Sequence, residues 1–183
     1  LMTFPRITAA LLALVFVATS CGGDDGGNTI SLGDGFAPDI GAIQTEPSRD
    51  NVVGLEFATF DGETDRFDDR IGTPMVVNFF AEWCVNCIHE MPDFQEVSQE
   101  LLGEVDFVGI SIDMGSTEAV ELVEATGVTY DVGWDPSEEL YAHFRGLSMP
   151  TTAFVDETGK ITRVWSGVLD VDSLREKIEE EIL

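Results

Sequence analysis

Six consecutive residues, Met75-Val76-Val77-Asn78-Phe79-Phe80, constrain the fold of this chain more than any other stretch. They are β-prone and nearly all apolar, without the alternation of a strand that has one wet face, so a strand built from them is covered on both sides. The flanking pattern supplies the cover. A helix is expected from about Cys84 to Leu102, then a second buried strand from Val105 to Asp113. Ser116-Thr117-Glu118 opens a helix that runs to Ala125 before Gly127. Further on come a helix from Pro136 to Phe144, a strand from Thr152 to Val155, a hairpin loop at Glu157-Thr158-Gly159-Lys160, a return strand from Ile161 to Trp165, and an amphipathic helix from Val171 to Ile182. Ahead of all this, Val53 to Phe60 and Glu63 to Phe67 flank Asp61-Gly62, whose positive φ angles suit a tight β-hairpin turn. Parallel βαβ first and an antiparallel hairpin plus helix last describe an α/β fold. Its mixed central sheet is flanked by helices, with an extra N-terminal β-hairpin, all within residues 52–183.

The N-terminal segment belongs to export. Arg6 precedes an apolar run, Ile7 to Ala18, too short for a mature membrane span and suited to a signal-peptide core. Ala18-Thr19-Ser20-Cys21, followed by Gly22-Gly23-Asp24-Asp25, resembles a bacterial lipobox opening a flexible tether, although Ala18 stands where Leu is preferred. Residues 1–20 are then a signal peptide, Cys21 the lipid attachment site, and residues 21–51 a Gly-, Asp-, Ser- and Pro-rich linker. The expected location is the extracytoplasmic face of the cell membrane. The alternative is a secreted protein with a spare thiol, since Ala18-x-Ser20 also suits ordinary cleavage.

Charge narrows the partners. Against 35 Asp and Glu stand nine Lys and Arg, a formal charge of −26, and the only lysines are Lys160 and Lys177. No basic stripe exists to neutralise phosphates, so nucleic acid is excluded as a partner, and charged partners are basic or neutral. The acid itself reads first as a solvated surface.

The chemistry lies where the first buried strand meets its helix. Cys84 and Cys87 are three residues apart at a helix N-terminus, on one face and within disulfide reach. Orphan N–H groups and the positive helix end stabilise a thiolate on the first cysteine, expected to be the exposed one, which makes Cys84 the nucleophile and Cys87 the resolving thiol. A structural zinc site would draw on His89 and His143 to complete four ligands. A purely structural disulfide would constrain little chain, and a peroxidatic cysteine would want Thr and Arg where Glu82 and Trp83 stand.

Val76 to Cys87, with Glu90 and Pro92 behind them and Met149-Pro150-Thr151-Thr152 far downstream, resembles the thioredoxin-like lipoproteins of the TlpA/ResA/DsbE type, a redoxin (AhpC/TSA-like) domain. The resemblance covers about residues 52–183 and implies a thioredoxin-like fold and a cis Met149–Pro150 bond beside Cys84, where a substrate chain pairs with backbone. It implies substrate contacts at Trp83, Met149, Pro150 and Thr151, and a redox-active Cys84–Cys87 disulfide. Glu90 would take the Cys87 proton, although a glutamate early in a helix also serves as dipole compensation. Asn78 sits where thioredoxins place a buried acid, Pro92 matches the fold's helix-kinking proline, and Asn86 departs from the usual Pro. The implied activity is thiol:disulfide exchange with protein thiols or disulfides, without cofactor or metal. The implied partners are apocytochrome c thiols during cytochrome c maturation and a membrane thiol-electron donor. Alternatives are a disulfide-inserting oxidase, a thiol-dependent peroxide reductase, and a non-enzymatic Cu(I) or Zn(II) carrier using Cys84, Cys87 and His89.

Overall fold

The computed structural model describes residues 49–183; the expected signal peptide, Cys21 and the linker up to residue 48 lie outside the described residues. In chain order the elements are β1 (Glu56–Thr59), β2 (Thr64–Arg66), a 3-10 turn (Phe67–Arg70), β3 (Met75–Phe80), α1 (Val85–Glu100) and β4 (Asp106–Ser111). There follow α2 (Ser116–Thr126), β5 (Asp131–Trp134), α3 (Glu139–His143), β6 (Thr151–Val155), β7 (Ile161–Ser166) and α4 (Val171–Glu181). The strands form one seven-stranded sheet in the order β2-β1-β5-β4-β3-β6-β7. β3, β4 and β5 run parallel, while β1, β6 and β7 run antiparallel to their neighbours.

β3 is buried at every position, as its unbroken apolar run requires. Its two faces meet different partners. Val76 packs with Phe94 and Val97 of α1 and with Leu174 and Ile178 of α4. On the opposite face Phe79 meets Tyr141 and Phe144 at centroid distances of 5.4 and 5.3 Å. Phe144 continues to Phe67 at 5.8 Å and Phe67 to Phe57 at 5.2 Å, so a run of tilted rings fastens the hairpin and α3 to the sheet.

Three boundaries differ from the sequence reading. β5 was not expected: Asp131 and Gly133 are weak strand formers, and the segment is held by pairing on both edges, Ile110↔Gly133 with β4 and Ala58↔Trp134 with β1. Gly133 is required there because a Cβ would collide with the Phe57 ring. The helix expected over Pro136–Phe144 shrinks to Glu139–His143. Asp135 accepts from Ser137 Oγ and from the Tyr141 backbone N–H, which holds the first residues in a turn, and Glu138 takes a φ of 56°. The sheet's pairing also begins earlier than residue 52: the Ile161 N–H donates to Asp50 O, and Asn51 bridges to Lys160, so the end of the expected linker is already tied to the β6–β7 hairpin.

Candidate active site

The loop Ala81-Glu82-Trp83 carries the chain from β3 into α1, and a buried acid braces it. The Asp113 carboxylate, just past β4, accepts from the Glu82 N–H at 3.1 and 3.0 Å and from Ser111 Oγ at 2.9 Å. Trp134 Nε1 of β5 donates to the Asp113 carbonyl at 2.7 Å, so the unexpected strand also supports the site. The Cys84 N–H returns to Ala81 O at 3.0 Å, and Cys84 becomes the N-cap of α1 with its Sγ accepting from the Cys87 N–H at 3.1 Å.

Cys84 and Cys87 are joined in a disulfide with their Cα atoms 5.2 Å apart. Cys84 retains 6% of its surface and Cys87 none, so the cysteine expected to be the nucleophile is the more accessible of the two. No acid stands in the first turn of α1, leaving the helix end's positive potential uncancelled by its own side chains.

Glu90 lies three residues beyond Cys87 and is 1% exposed. One carboxylate oxygen accepts from Asn78 Nδ2 at 2.9 Å and the other from the Leu169 N–H at 3.2 Å. These bonds favour the anion, yet burial outweighs them and, with Asp93 nearby, pushes the Glu90 pKa up to about 7. Asn78 also donates to Thr152 Oγ1 at 3.4 Å, so Asn78 of β3, itself tied to β6, and the loop ahead of α4 converge on one carboxylic acid of α1. Tyr130 approaches the same group: its ring would lie 3.1 Å from a Cβ at Gly109, the β4 residue paired with Asn78. Burial, together with the charge of Glu90, raises the Tyr130 phenol above its ordinary value.

The Met149–Pro150 peptide is cis, as the resemblance implies. Thr151 pairs with Phe79, which puts Pro150 alongside the end of β3 where the loop to Cys84 begins. Pro150 O accepts from the Gly167 N–H at 3.0 Å, and Thr151 Oγ1 donates to Ser148 O at 2.6 Å. Trp83 is 62% exposed, Met149 half-buried, and Pro150 and Thr151 buried. Pro92 lies inside α1, and His89 is exposed on that helix. Among the described residues, no group of three or more His, Cys, Asp or Glu is placed to hold a metal ion. Sequence reasoning missed Asp113, Leu169 and Tyr130. Asp113 closing a buried strand was the one visible signal.

The AhpC/TSA family model matches residues 49–164, more than half of the chain. The chain belongs to the AhpC/TSA family. Among the relatives of this AhpC/TSA protein, thiol-disulfide oxidoreductase ResA of Oceanobacillus iheyensis is 30% identical over 115 residues. That match spans 62% of this chain and 60% of the relative, less than two thirds of its length. The structure of MTB DsbF in mixed oxidized and reduced forms is 28% identical with a TM-score of 0.65, covering 74% of this chain and 98% of that one. The exposed lipoprotein thioredoxin of Streptococcus pneumoniae is 27% identical with a TM-score of 0.59, covering 69% and 98%. The fold of this AhpC/TSA member is therefore thioredoxin-like, and its Cys84–Cys87 pair stands at the helix start that follows the buried strand.

Proposed function

We infer that the protein is a membrane-tethered, extracytoplasmic thiol:disulfide oxidoreductase acting on protein cysteines. The observation that carries this is the asymmetry of the site: one cysteine at a helix N-terminus that keeps a sliver of exposure, its partner fully sealed, and a buried carboxylic acid titrating near neutrality one turn further along. In the reducing direction the Cys84 thiolate attacks a substrate disulfide. One substrate sulfur leaves as thiol, and the other stays bonded to Cys84. Cys87 loses its proton to Glu90, attacks Cys84 Sγ and closes the intramolecular disulfide, releasing the second substrate thiol. Trp83 and the half-buried Met149 form the rim against which the substrate chain lies, and Pro150 and Thr151, buried behind it, hold that loop in place. A membrane thiol donor then returns two electrons to the pair.

Names of similar proteins support this reading, ResA as a thiol-disulfide oxidoreductase and the pneumococcal protein as an exposed lipoprotein. The tether is Cys21 with the linker that ends where Asp50 and Asn51 join the β6–β7 hairpin, after removal of residues 1–20. The direction is reduction, with apocytochrome c thiols as the substrate class. A Cys87→Ser variant should accumulate mixed disulfides through Cys84, whereas Cys84→Ser should trap none; equal trapping by both would sink the mechanism. Equilibration in graded thiol–disulfide buffers sets the direction: a potential below about −250 mV fits the reductase, one above about −180 mV an oxidase.

A further inference from the structure

Trp83, the residue before Cys84, forms one wall of a cleft of about 270 Å³ whose other walls include Ile112 and Met114. Trp83 and Met114 are 62% and 87% exposed, an aromatic side chain and a thioether left open in a cleft that adjoins Cys84 through Trp83. Three exposed carboxylates, Glu82, Glu118 and Glu138, complete the lining, and no Lys, Arg or His contributes to it. Asp113 also lines the cleft, but its carboxylate is spent on the Glu82 N–H and Ser111 Oγ. Among the described residues, the ion pairs of Arg66, Arg70, Arg145, Arg163, Arg175 and Lys177 all go to other acids. The cleft thus keeps both its apolar surface and its negative charge uncovered.

We propose that this cleft takes a lysine or arginine side chain of the partner polypeptide, close in sequence to the cysteine that reacts with Cys84. An aromatic face, a polarizable thioether and uncompensated carboxylates together suit an ammonium or guanidinium on an aliphatic stem. Charge excludes the rival occupants. A second copy of the chain would bring its own −26 to the cleft, and nucleic acid or anionic lipid would be repelled in the same way. Because Trp83 and Cys84 are consecutive, the basic residue falls within about four residues of the reacting cysteine, at ~3.3 Å per extended residue. The proposal rests on the oxidoreductase reading and names a feature of its substrates.

The test uses three peptides, each with one cysteine carried as a glutathione mixed disulfide. One has Lys and Arg within four residues of the cysteine, one has the same residues about ten positions away, and one has Gln instead. The second peptide controls for steering by the protein's overall charge. For the wild-type protein, kcat/KM for the near-basic peptide should exceed that for the far-basic one by about three- to tenfold, the scale of one or two half-exposed ion pairs. In the double variant Glu118→Gln, Glu138→Gln that ratio should approach one, and salt at about 0.5 M should compress it in the wild type. Since the ratio is taken within each protein, a loss of folded fraction cancels. Equal rates for near- and far-basic peptides in the wild type, or an unchanged ratio in the variant, overturns the proposal. Hydroxyethyl disulfide, which has no side chain to reach the cleft, separates the two failures. If wild type reduces it but prefers no peptide, the cleft assignment alone falls; if wild type reduces no disulfide, the oxidoreductase reading falls and the proposal with it.

Discussion

Replacing Glu90 with Gln should make the folded protein more stable in alkali and leave it almost unchanged in acid. The carboxyl is held at about 7 in the fold against its ordinary 4.5, with burial as the leading cause. For an acid whose folded pKa is raised, the folded state binds the proton more tightly. The penalty is therefore absent below the unfolded value, accumulates as pH climbs between the two, and is complete above the folded one. At about 1.4 kcal/mol per unit the displacement is worth roughly 3 kcal/mol of lost stability by about pH 8. Gln carries no charge to desolvate and can keep the hydrogen bonds. Its carbonyl accepts from the Leu169 N–H, and its amide donates to Asn78 Oδ1 once the Asn78 amide turns over, an atom that now lacks a protein partner. Urea unfolding of the oxidised protein at about pH 5 and about pH 8 measures the difference. Glu90→Gln should gain on wild type by roughly 2–3 kcal/mol between the two conditions. A difference that does not change with pH, or a variant that loses ground in alkali, refutes the reasoning.

Three further outcomes follow from packing and charge. Gly133→Ala pushes a methyl into the Phe57 ring and the Ala58 carbonyl, so it should lower stability by about 1–3 kcal/mol and loosen the β1–β2 hairpin in hydrogen exchange. Arg70 lies over the Phe57 ring and pairs with Asp65 of β2 and Asp131 of β5, with its side chain only 13% exposed. Its replacement by Ala should cost roughly 2 kcal/mol in denaturant unfolding, and a neutral result would mean those pairs are solvent-screened. Trp83→Ala removes a side chain that is mostly in water, so thermal stability should move by less than about 0.5 kcal/mol while the rate with peptide disulfides drops. Equal rates in variant and wild type would take Trp83 out of the substrate rim.

How much of this was legible in the sequence depended on the range of the interaction that decides each feature. The buried strand and the Cys84–Cys87 pair were readable because an apolar run and a three-residue spacing are local. β5 was not, because Asp131 and Gly133 are strand residues only by virtue of neighbours on two edges that the local pattern does not name. Glu90 could be picked out, but its burial could not: a glutamate six residues into a helix reads as a solvated side chain. What buries it are Asn78, 12 residues back, and Leu169, 79 residues on. The same holds for Asp113, whose acceptance of the Glu82 N–H across 31 residues fixes the entry to α1.

The poise of the site is set by the few charges close to the sulfurs rather than by the net −26. Salt confines each remote acid to a Debye length of about 8 Å at physiological strength, so the surface as a whole contributes little. Near the pair, the N-terminus of α1 favours the thiolate, and Glu82 and the ionised form of Glu90 oppose it. Below pH 7 Glu90 is mostly neutral; above pH 7 a further negative charge appears one turn from Cys87. The dithiol should therefore hold its protons more tightly, and reduce more strongly, in alkali than the helix end alone would allow. Glu90→Gln removes that charge. Its reduction potential should rise above the wild-type value at about pH 8 and converge with it at about pH 6, where both side chains are neutral. Parallel potentials across that range would show that Glu90 does not sense the sulfurs, and the proton path from Cys87 to Glu90 would fall with it.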